Sequence, residues 1–318
     1  DEFNYQAQVI NNKKNPQYVF HAVADGRLNE RGSYLRTKLY DADNKLGVDV
    51  ALLAELEHRS IRFSVADAHP ILGYKNFTVN DSNYVLLSDD RRVSANVELR
   101  STDGMGLKVY TNDENLDALQ DVTISLHQFQ LHDILSVVPY MPNISGILDG
   151  DYHLIQTKDE LSVSSDMTIH RLIYENCPMG DIGTEFVYMP KHDGSHVVDG
   201  LLTQNGHEIA LINGSYRSGG KGNIDAKITL ERTPLSLVNG FIPQQLIGFK
   251  GTAEGSLSLK GTLKNPNVNG EVYLDSAYLV SVPYGIEMRF DNDPVTITNS
   301  KLLFENFQMY SHNNSPSA

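Results

Sequence analysis

One stretch of strict apolar alternation recurs in this chain at a nearly fixed distance, and this repeat constrains the fold more than any other feature. Residues 251–285 read GTAEGSLSLKGTLKNPNVNGEVYLDSAYLVSVPYG, with apolar side chains at every second position in two runs. A period of two is typical of strands with one buried face. Residues 264–267 and the pair Asn269 and Gly270 suit turns, and Gly251, Gly255 and Gly261 suit places where strands bend or approach closely.

The same pattern occurs earlier in register. Pairs separated by 105 residues are Gly146/Gly251, Gly150/Gly255, Leu154/Leu259, Val163/Val268, Met167/Val272, Ile169/Leu274, Pro178/Pro283 and Gly180/Gly285. Before this block the separation is 104, as in Leu126/Leu230 and Pro139/Pro243. A repeat of this length predicts a stacked or tandem architecture. A third, weaker copy is predicted around residues 70–73 and Phe77, aligned with Pro178 and Pro283.

The fold class expected from this pattern is all-β, with more than half of the residues in strands. Residues 1–120 are predicted to form a β-meander, 121–223 the first repeat and 224–318 the second, which is expected to be truncated. Each repeat carries one short amphipathic segment, at residues 133–138 and 234–242. Thr233 is the predicted N-cap of the second, and Pro234 its first residue. The apolar positions of these two helices are Ile134, Leu135, Val138, Leu235, Val238 and Phe241.

Composition excludes several classes of partner. The net charge of −14 and the isoelectric point near 5.1 argue against nucleic acid and against an anionic membrane surface. No apolar run approaches the length of a membrane span, so any anchor is expected outside this sequence. Cys177 is the single cysteine, which excludes an internal disulfide.

No group of residues predicts catalysis or a metal site. The glycine-rich residues 214–222 depart from the phosphate-loop pattern and lie between predicted strands, which favours a hairpin turn. His192 and His196 span a predicted turn without a third ligand. Cys177 aligns with Val282 of the second copy, which favours a small buried hydrophobic residue. The sequence therefore predicts a protein that is not an enzyme and needs no cofactor.

Two further pairs of residues are candidates for a site. His127 and His132 flank a strand–helix junction without a carboxylate pattern. Asp149 and Glu254 occupy matching positions in the two copies and are predicted to be outward-facing turn residues. Neither pair predicts chemistry.

The spacing G-x3-G-x-L-x-L-x-G-x-L-x2-P-x-V-x-G-x-V-x-L within residues 251–274 resembles the repeat of the TamB family and, more loosely, the AsmA-like group. The resemblance covers about residues 122–318. It implies an elongated β-sheet curled into an open half-pipe, the β-taco, with an apolar interior, short helices that cap the groove, and a polar exterior. It also implies the periplasmic portion of an inner-membrane-anchored protein in a diderm bacterium, whose partner is an outer-membrane barrel of the TamA/BamA type.

The roles that the resemblance implies are phospholipid transport between the membranes and assembly of outer-membrane proteins, with phospholipid or nascent β-strands as cargo. The chain would then be an internal segment of a longer protein. The predicted cargo groove consists of Leu154, Val163, Met167, Ile169, Leu257, Leu259, Leu263, Val268, Val272 and Leu274. The pattern alone favours a closed two-sheet sandwich lined by these residues, and the open groove follows from the family resemblance. A surface adhesin or glycan-binding sandwich is the alternative function from another class.

Overall fold

The computed structural model describes residues 2–11, 18–112, 114, 117–218, 222–242, 246–262, 264–291, 294–303 and 309–311. Within these residues the protein contains 23 strands and two short helices, so the predicted all-β class with short helices is confirmed. The chain forms two compact units, which are described separately. Unit 1 comprises Asp1–Val163 with Met167–His170, and unit 2 comprises Ser164–Asp166 with Arg171–Ala318.

The strands of the first half of the chain are β1 (Glu2–Asn11), β2 (Phe20–Asn29), β3 (Gly32–Tyr40), β4 (Leu46–Glu57), β5 (Ser60–Val65), β6 (Ile71–Leu72), β7 (Lys75–Val79), β8 (Tyr84–Leu87), β9 (Val93–Ser101), β10 (Gly106–Thr111), β11 (Gln120–Gln130) and β12 (Ile144–Gln156). The remaining strands are β13 (Leu161–Tyr174), β14 (Cys177–Pro190), β15 (Ser195–Gln204), β16 (His207–Arg217), β17 (Asn223–Pro234), β18 (Ile247–Thr262), β19 (Asn265–Ser281), β20 (Ile286–Phe290), β21 (Val295–Thr298), β22 (Lys301–Leu303) and β23 (Met309–Ser311). The helices are α1 (Leu131–Leu135) and the 3₁₀ helix η1 (Leu235–Phe241).

Unit 1 is an antiparallel sheet in which four short strands share two strand positions. Strands β1 to β4 pair in sequence order, and so do β9 to β12. Two strand positions lie between β4 and β9, and each of them is occupied by two short strands. The paired strands β5 and β8 lie along one half of β4 and β9, and the paired strands β6 and β7 lie along the other half. The predicted simple meander is therefore wrong between residues 60 and 87, because β5 pairs with β8 across the inserted β6–β7 hairpin.

Unit 2 repeats this division near the end of the chain. Strands β14 to β19 pair in sequence order. Strand β19 then pairs with β20 along one half and with β21 along the other. Strand β20 pairs with β23, and β21 with β22. Strands β4 to β8 thus have the same pairing pattern as β19 to β23.

This correspondence replaces the predicted alignment of the third copy. Pro70 directly precedes β6, whereas Pro178 lies within β14 and Pro283 lies in the turn between β19 and β20. The pairing pattern instead matches Pro70 with Pro294, which directly precedes β21. Sequence spacing alone does not distinguish these proline-containing segments, because it carries no information about pairing partners.

The two stronger copies have backbone irregularities at matching positions. The β11–β12 ladder has a bulge after Leu126, and the β17–β18 ladder has one after Leu230, the matching residue. Within these bulges Gln128 and Arg232 have φ of 47° and 49°. The copies therefore share irregular backbone as well as alternation, and a bulge conserved in position re-aims the strand at the same place in each.

The ladder between β18 and β19 depends on glycines at two close approaches. Gly255 has φ of 155°, and a Cβ there would collide with the carbonyl oxygen of Glu271. Gly270 has φ of 153°, and a Cβ there would collide with the carbonyl oxygen of Ser256. The turn predicted at Asn269 and Gly270 is wrong, since both lie inside β19. The glycine there serves strand contact rather than chain reversal.

Replacement of Gly255 by Val should lower the free energy of unfolding by about 2–4 kcal/mol, because the side chain meets backbone atoms at a φ that valine does not adopt. Urea denaturation followed by circular dichroism measures the change. Gly206→Ala is the matched control, since its φ of 78° is also positive but no atom lies within 4 Å of the added Cβ. Equal losses in the two variants would show that the close approach is unimportant.

Candidate apolar binding face

One side of the unit 2 sheet is apolar along three adjacent rows. In an antiparallel ladder, directly opposed residues point to the same side. The first row is Leu202, Ala210, Leu230, Gly255, Val272 and Val295. The second row is Phe186, Gly200, Ile212, Ile228, Leu257, Gly270 and Ile297. The third row is Tyr188, Val198, Gly214, Ala226, Leu259 and Val268. We call these rows the apolar face of unit 2.

The opposite side of the same strands is mostly polar, although Val187, Leu201 and Leu211 also point to it. A representative row is Asp199, Asn213, Lys227, Ser258 and Asn269. Its neighbour contains Thr229, Ser256, Glu271 and Thr296. The sheet therefore has one side suited to water and one suited to apolar contact.

The apolar face of unit 2 retains contact with solvent. Ile212 is 38% exposed, and Ile228, Leu257 and Leu259 are each only half-buried. Residues sealed between two packed layers are mostly fully buried. Ala226, Val272 and Val295 are the row members that reach that level, at 8%, 9% and 6% exposure. The face is therefore accessible to an apolar ligand in the described part of unit 2.

Unit 1 has rows of the same kind. The β9–β12 ladders place Val109, Ile124 and Tyr152 in one row, and Leu99, Leu107, Leu126 and Gly150 in the next. Leu154 extends a third row beside Val122. The alternation that predicted these positions therefore describes both units.

The predicted groove residues occupy these faces as follows. Leu257, Leu259, Val268 and Val272 lie in the three rows of unit 2, and Leu274 lies opposite Ala253 on the same side. Val163, Met167 and Ile169 fall at alternate positions of β13. Leu263 lies outside the described residues. Sequence reasoning missed the partners on β15, β16 and β17, because their apolar runs were assigned to strands but not to a common face.

Helix α1 covers one end of the unit 1 face. Ile134 packs against a fully buried cluster of Phe77, Leu99 and Met105. Val137, which follows the helix, is 2% exposed and packs directly against Gly47. A Cβ at position 47 would collide with the side chain of Val137. The predicted helix began two residues late, and Val138 is exposed rather than packed. Val137 was missed because it follows the end of the regular helix.

A lysine clamp holds α1 to the strands below it. The Nζ of Lys75 lies 2.7 Å from a carboxylate oxygen of Asp133 in α1 and 2.5 Å from one of Asp103 in the β9–β10 turn. The hydrogen bonds from Lys75 and Ser101 hold the pKa of Asp103 below its ordinary value of 3.8. The clamp therefore joins the helix to two separate parts of the sheet.

Helix η1 occupies the matching position in unit 2. Asn239 accepts a hydrogen bond from the backbone N–H of Phe249 and donates one to its carbonyl, at 2.7 and 2.9 Å. Gly240 is buried against Met179 and Tyr174. Cys177 is free and buried beside this contact, as its alignment with Val282 predicted.

The predicted apolar side of this second helix is only partly correct. Three residues per turn place Leu235, Val238 and Phe241 on one side and Leu237 and Gly240 on another. The second side is the inner one, while Val238 is 45% and Phe241 72% exposed. The ring of Phe241 lies 5.0 Å from that of Tyr174. The segment is a 3₁₀ helix and not an α-helix, and the side predicted to pack is the more exposed one.

The predicted N-cap is also wrong. Thr233 belongs to β17, and its hydroxyl donates to the carbonyl oxygen of Ile209 at 2.5 Å instead of capping the helix. Pro234, in extended conformation, occupies the cap position without a side-chain hydrogen bond.

Leu135 and Leu235, the remaining predicted cap residues, are half-buried in the described structure. Leu135 ends α1, and Leu235 begins η1.

The weaker sequence candidates are placed on the polar side or in structural contacts. His196 accepts or donates a hydrogen bond with Tyr188 at 2.7 Å and stacks on its ring. Asp149 lies within β12, not in a turn, and accepts from the backbone N–H of Gln128 in the bulge. Its counterpart Glu254 lies within β18. Among the described residues there is no cluster of three or more metal-ligating side chains.

Comparison with protein-family models, curated proteins and solved structures found no match to the chain. Of the helices in the described ranges, none is long and apolar enough to span a bilayer.

Substitution of Lys75 by Met should destabilise unit 1 by about 0.5–1 kcal/mol, the range for partly exposed ion pairs. The depressed pKa of Asp103 means that its contribution is present above pH 3.8 and is lost as the pH falls through the folded-state value. The difference between wild type and variant should therefore shrink in acid. Lys260→Met, which removes an exposed pair with Asp225, is the control. A difference that is unchanged or larger at low pH would contradict the clamp.

Proposed function

We propose that this chain is a β-groove segment of a TamB-like protein that shields acyl chains during phospholipid transport between the inner and outer membranes. The observation that carries the proposal is the apolar face of unit 2, in which three in-register rows are mostly half-buried and retain contact with solvent. A lipid tail laid on these rows would remove apolar surface from water on both sides of the contact. Each buried methylene group contributes about 0.8 kcal/mol.

The chemistry of the face favours a chain-like apolar cargo over a small polar ligand. The central positions of the rows are aliphatic or glycine, as with Ile228, Leu257 and Gly270. Charged side chains such as Lys227 and Glu271 project from the other side. A ligand held here gains affinity from its buried apolar area and not from directed hydrogen bonds.

Nascent outer-membrane strands are a second apolar cargo for the same rows, and assistance in outer-membrane protein assembly is part of the proposal. The periplasmic location and the TamA/BamA-type partner rest on the sequence resemblance. The adhesin alternative is not favoured, because a sandwich would seal rows that retain contact with solvent, as at Ile212.

Leu259→Arg places a charge in the middle of the third row, between Ala226 and Val268, and should remove most of the bound lipid. The protein is purified from a diderm host, and phospholipid per chain is measured by mass spectrometry. The matched control is Ser256→Arg, which adds the same charge to the polar side of the same strand. Circular dichroism verifies that both variants fold.

The proposal predicts lipid in wild type and in Ser256→Arg, with at least a severalfold loss in Leu259→Arg. Undiminished lipid in a folded Leu259→Arg variant would show that cargo does not lie on this face. Absence of lipid from the wild type, together with absence of uptake of a fluorescent fatty acid, would contradict a lipid cargo altogether.

A further inference from the structure

One end of unit 2 exposes a group of large apolar side chains at a strand turn. Val282 is 50%, Tyr284 80% and Ile286 47% exposed, and all three belong to the turn from β19 into β20 or its edge. Leu246, which precedes β18, is 58% exposed. Its carbonyl oxygen accepts a hydrogen bond of 3.1 Å from the N–H of Val282, so the two segments are adjacent. We call these four residues the apolar tip.

The sequence around the apolar tip is free of charge. No Asp, Glu, Lys, Arg or His occurs in residues 233–249 or 276–286, although charged residues make up 21% of the chain. The first charges beyond it, Lys250 and Glu287, pair with each other at 2.5 Å. Phe241, also strongly exposed, belongs to the first of these stretches.

The corresponding turn in unit 1 has a different character. Strands β4 and β5 occupy the places of β19 and β20 in the shared pairing pattern. Their turn contains Glu57, His58 and Arg59 where unit 2 has Val282, Pro283, Tyr284 and Gly285. The fold therefore tolerates a charged turn at this position, and the apolar tip is not required by the architecture.

We propose that the apolar tip inserts into the surface of a bilayer of neutral, zwitterionic lipid. The boundary between headgroups and acyl chains favours tyrosine together with aliphatic side chains. The apolar tip exposes such side chains on a turn. A chain of net charge −14 is repelled by anionic lipid, so a charge-free tip complements a surface without net charge. This contact is independent of what the apolar face carries.

A second copy of the chain fits the tip less well. Four side chains at these exposures can bury at most roughly 500 Å², whereas a stable protein interface needs about 800 Å² per partner. A bilayer requires no matching shape, and a small wedge of apolar side chains is sufficient for reversible binding.

The absence of tryptophan from the chain permits a direct test. Tyr284→Trp introduces a single reporter at the tip, and Tyr273→Trp introduces one on the polar side of β19, where Tyr273 is 52% exposed. Each variant is mixed with phosphatidylcholine vesicles containing brominated acyl chains. The proposal predicts a blue shift and quenching for the tip reporter alone, unaffected by salt. No change at the tip, or equal quenching at both positions, would overturn it.

Flotation with plain phosphatidylcholine vesicles measures the contribution of the side chains. The double variant Leu246→Ser/Tyr284→Ser should bind about tenfold more weakly than wild type. Leu56→Ser is the matched control, because Leu56 is also 58% exposed but borders the charged turn of unit 1. An equal loss in the control would overturn the proposal. So would a blue shift of the tip reporter that appears without vesicles as protein concentration rises, since that result assigns the tip to self-association.

Discussion

The register of the antiparallel ladders is the constraint on which the rest of this structure depends. Directly opposed residues share a side of the sheet, so alternation in each strand gives a continuous apolar face only when all neighbours are aligned. In unit 2 the alignment holds from Phe186 on β14 to Ile297 on β21. A slip of one residue at any ladder would place charged groups such as Lys227 among the apolar rows.

The two helices and the glycines maintain this arrangement at its most vulnerable places. Each helix follows a bulged strand, where regular pairing is interrupted. Asn239 replaces part of that pairing by binding both backbone groups of Phe249, and Lys75 fixes α1 through two carboxylates. The same need is met by an amide in one unit and by an ion pair in the other. The shared feature is therefore the position of the helix and not its chemistry.

Strand alternation, the close approach at Gly255 and the burial of Cys177 could be predicted from sequence because each is a local property, whereas Gly270 was assigned to a turn. The pairing of β5 with β8 could not be predicted, since pairing across an inserted hairpin depends on partners distant in sequence. The inner side of η1 was also mispredicted, because Leu235, Val238 and Phe241 fit an α-helical stripe as well as a 3₁₀ one. The common face of β15 to β17 required the observed register.

The spacing between the repeated copies changes at one place in the chain. The separation between matching residues changes from 104 to 105 between the prolines at 139 and 243 and the glycines at 146 and 251. That interval includes the first residues of β12 and β18, and it precedes Ile147 and Thr252, where the pairing of the β11–β12 and β17–β18 ladders begins. A single-residue insertion within a ladder would invert every subsequent side chain. The change in length thus lies outside these two ladders, so it leaves the register of their apolar and polar sides unchanged.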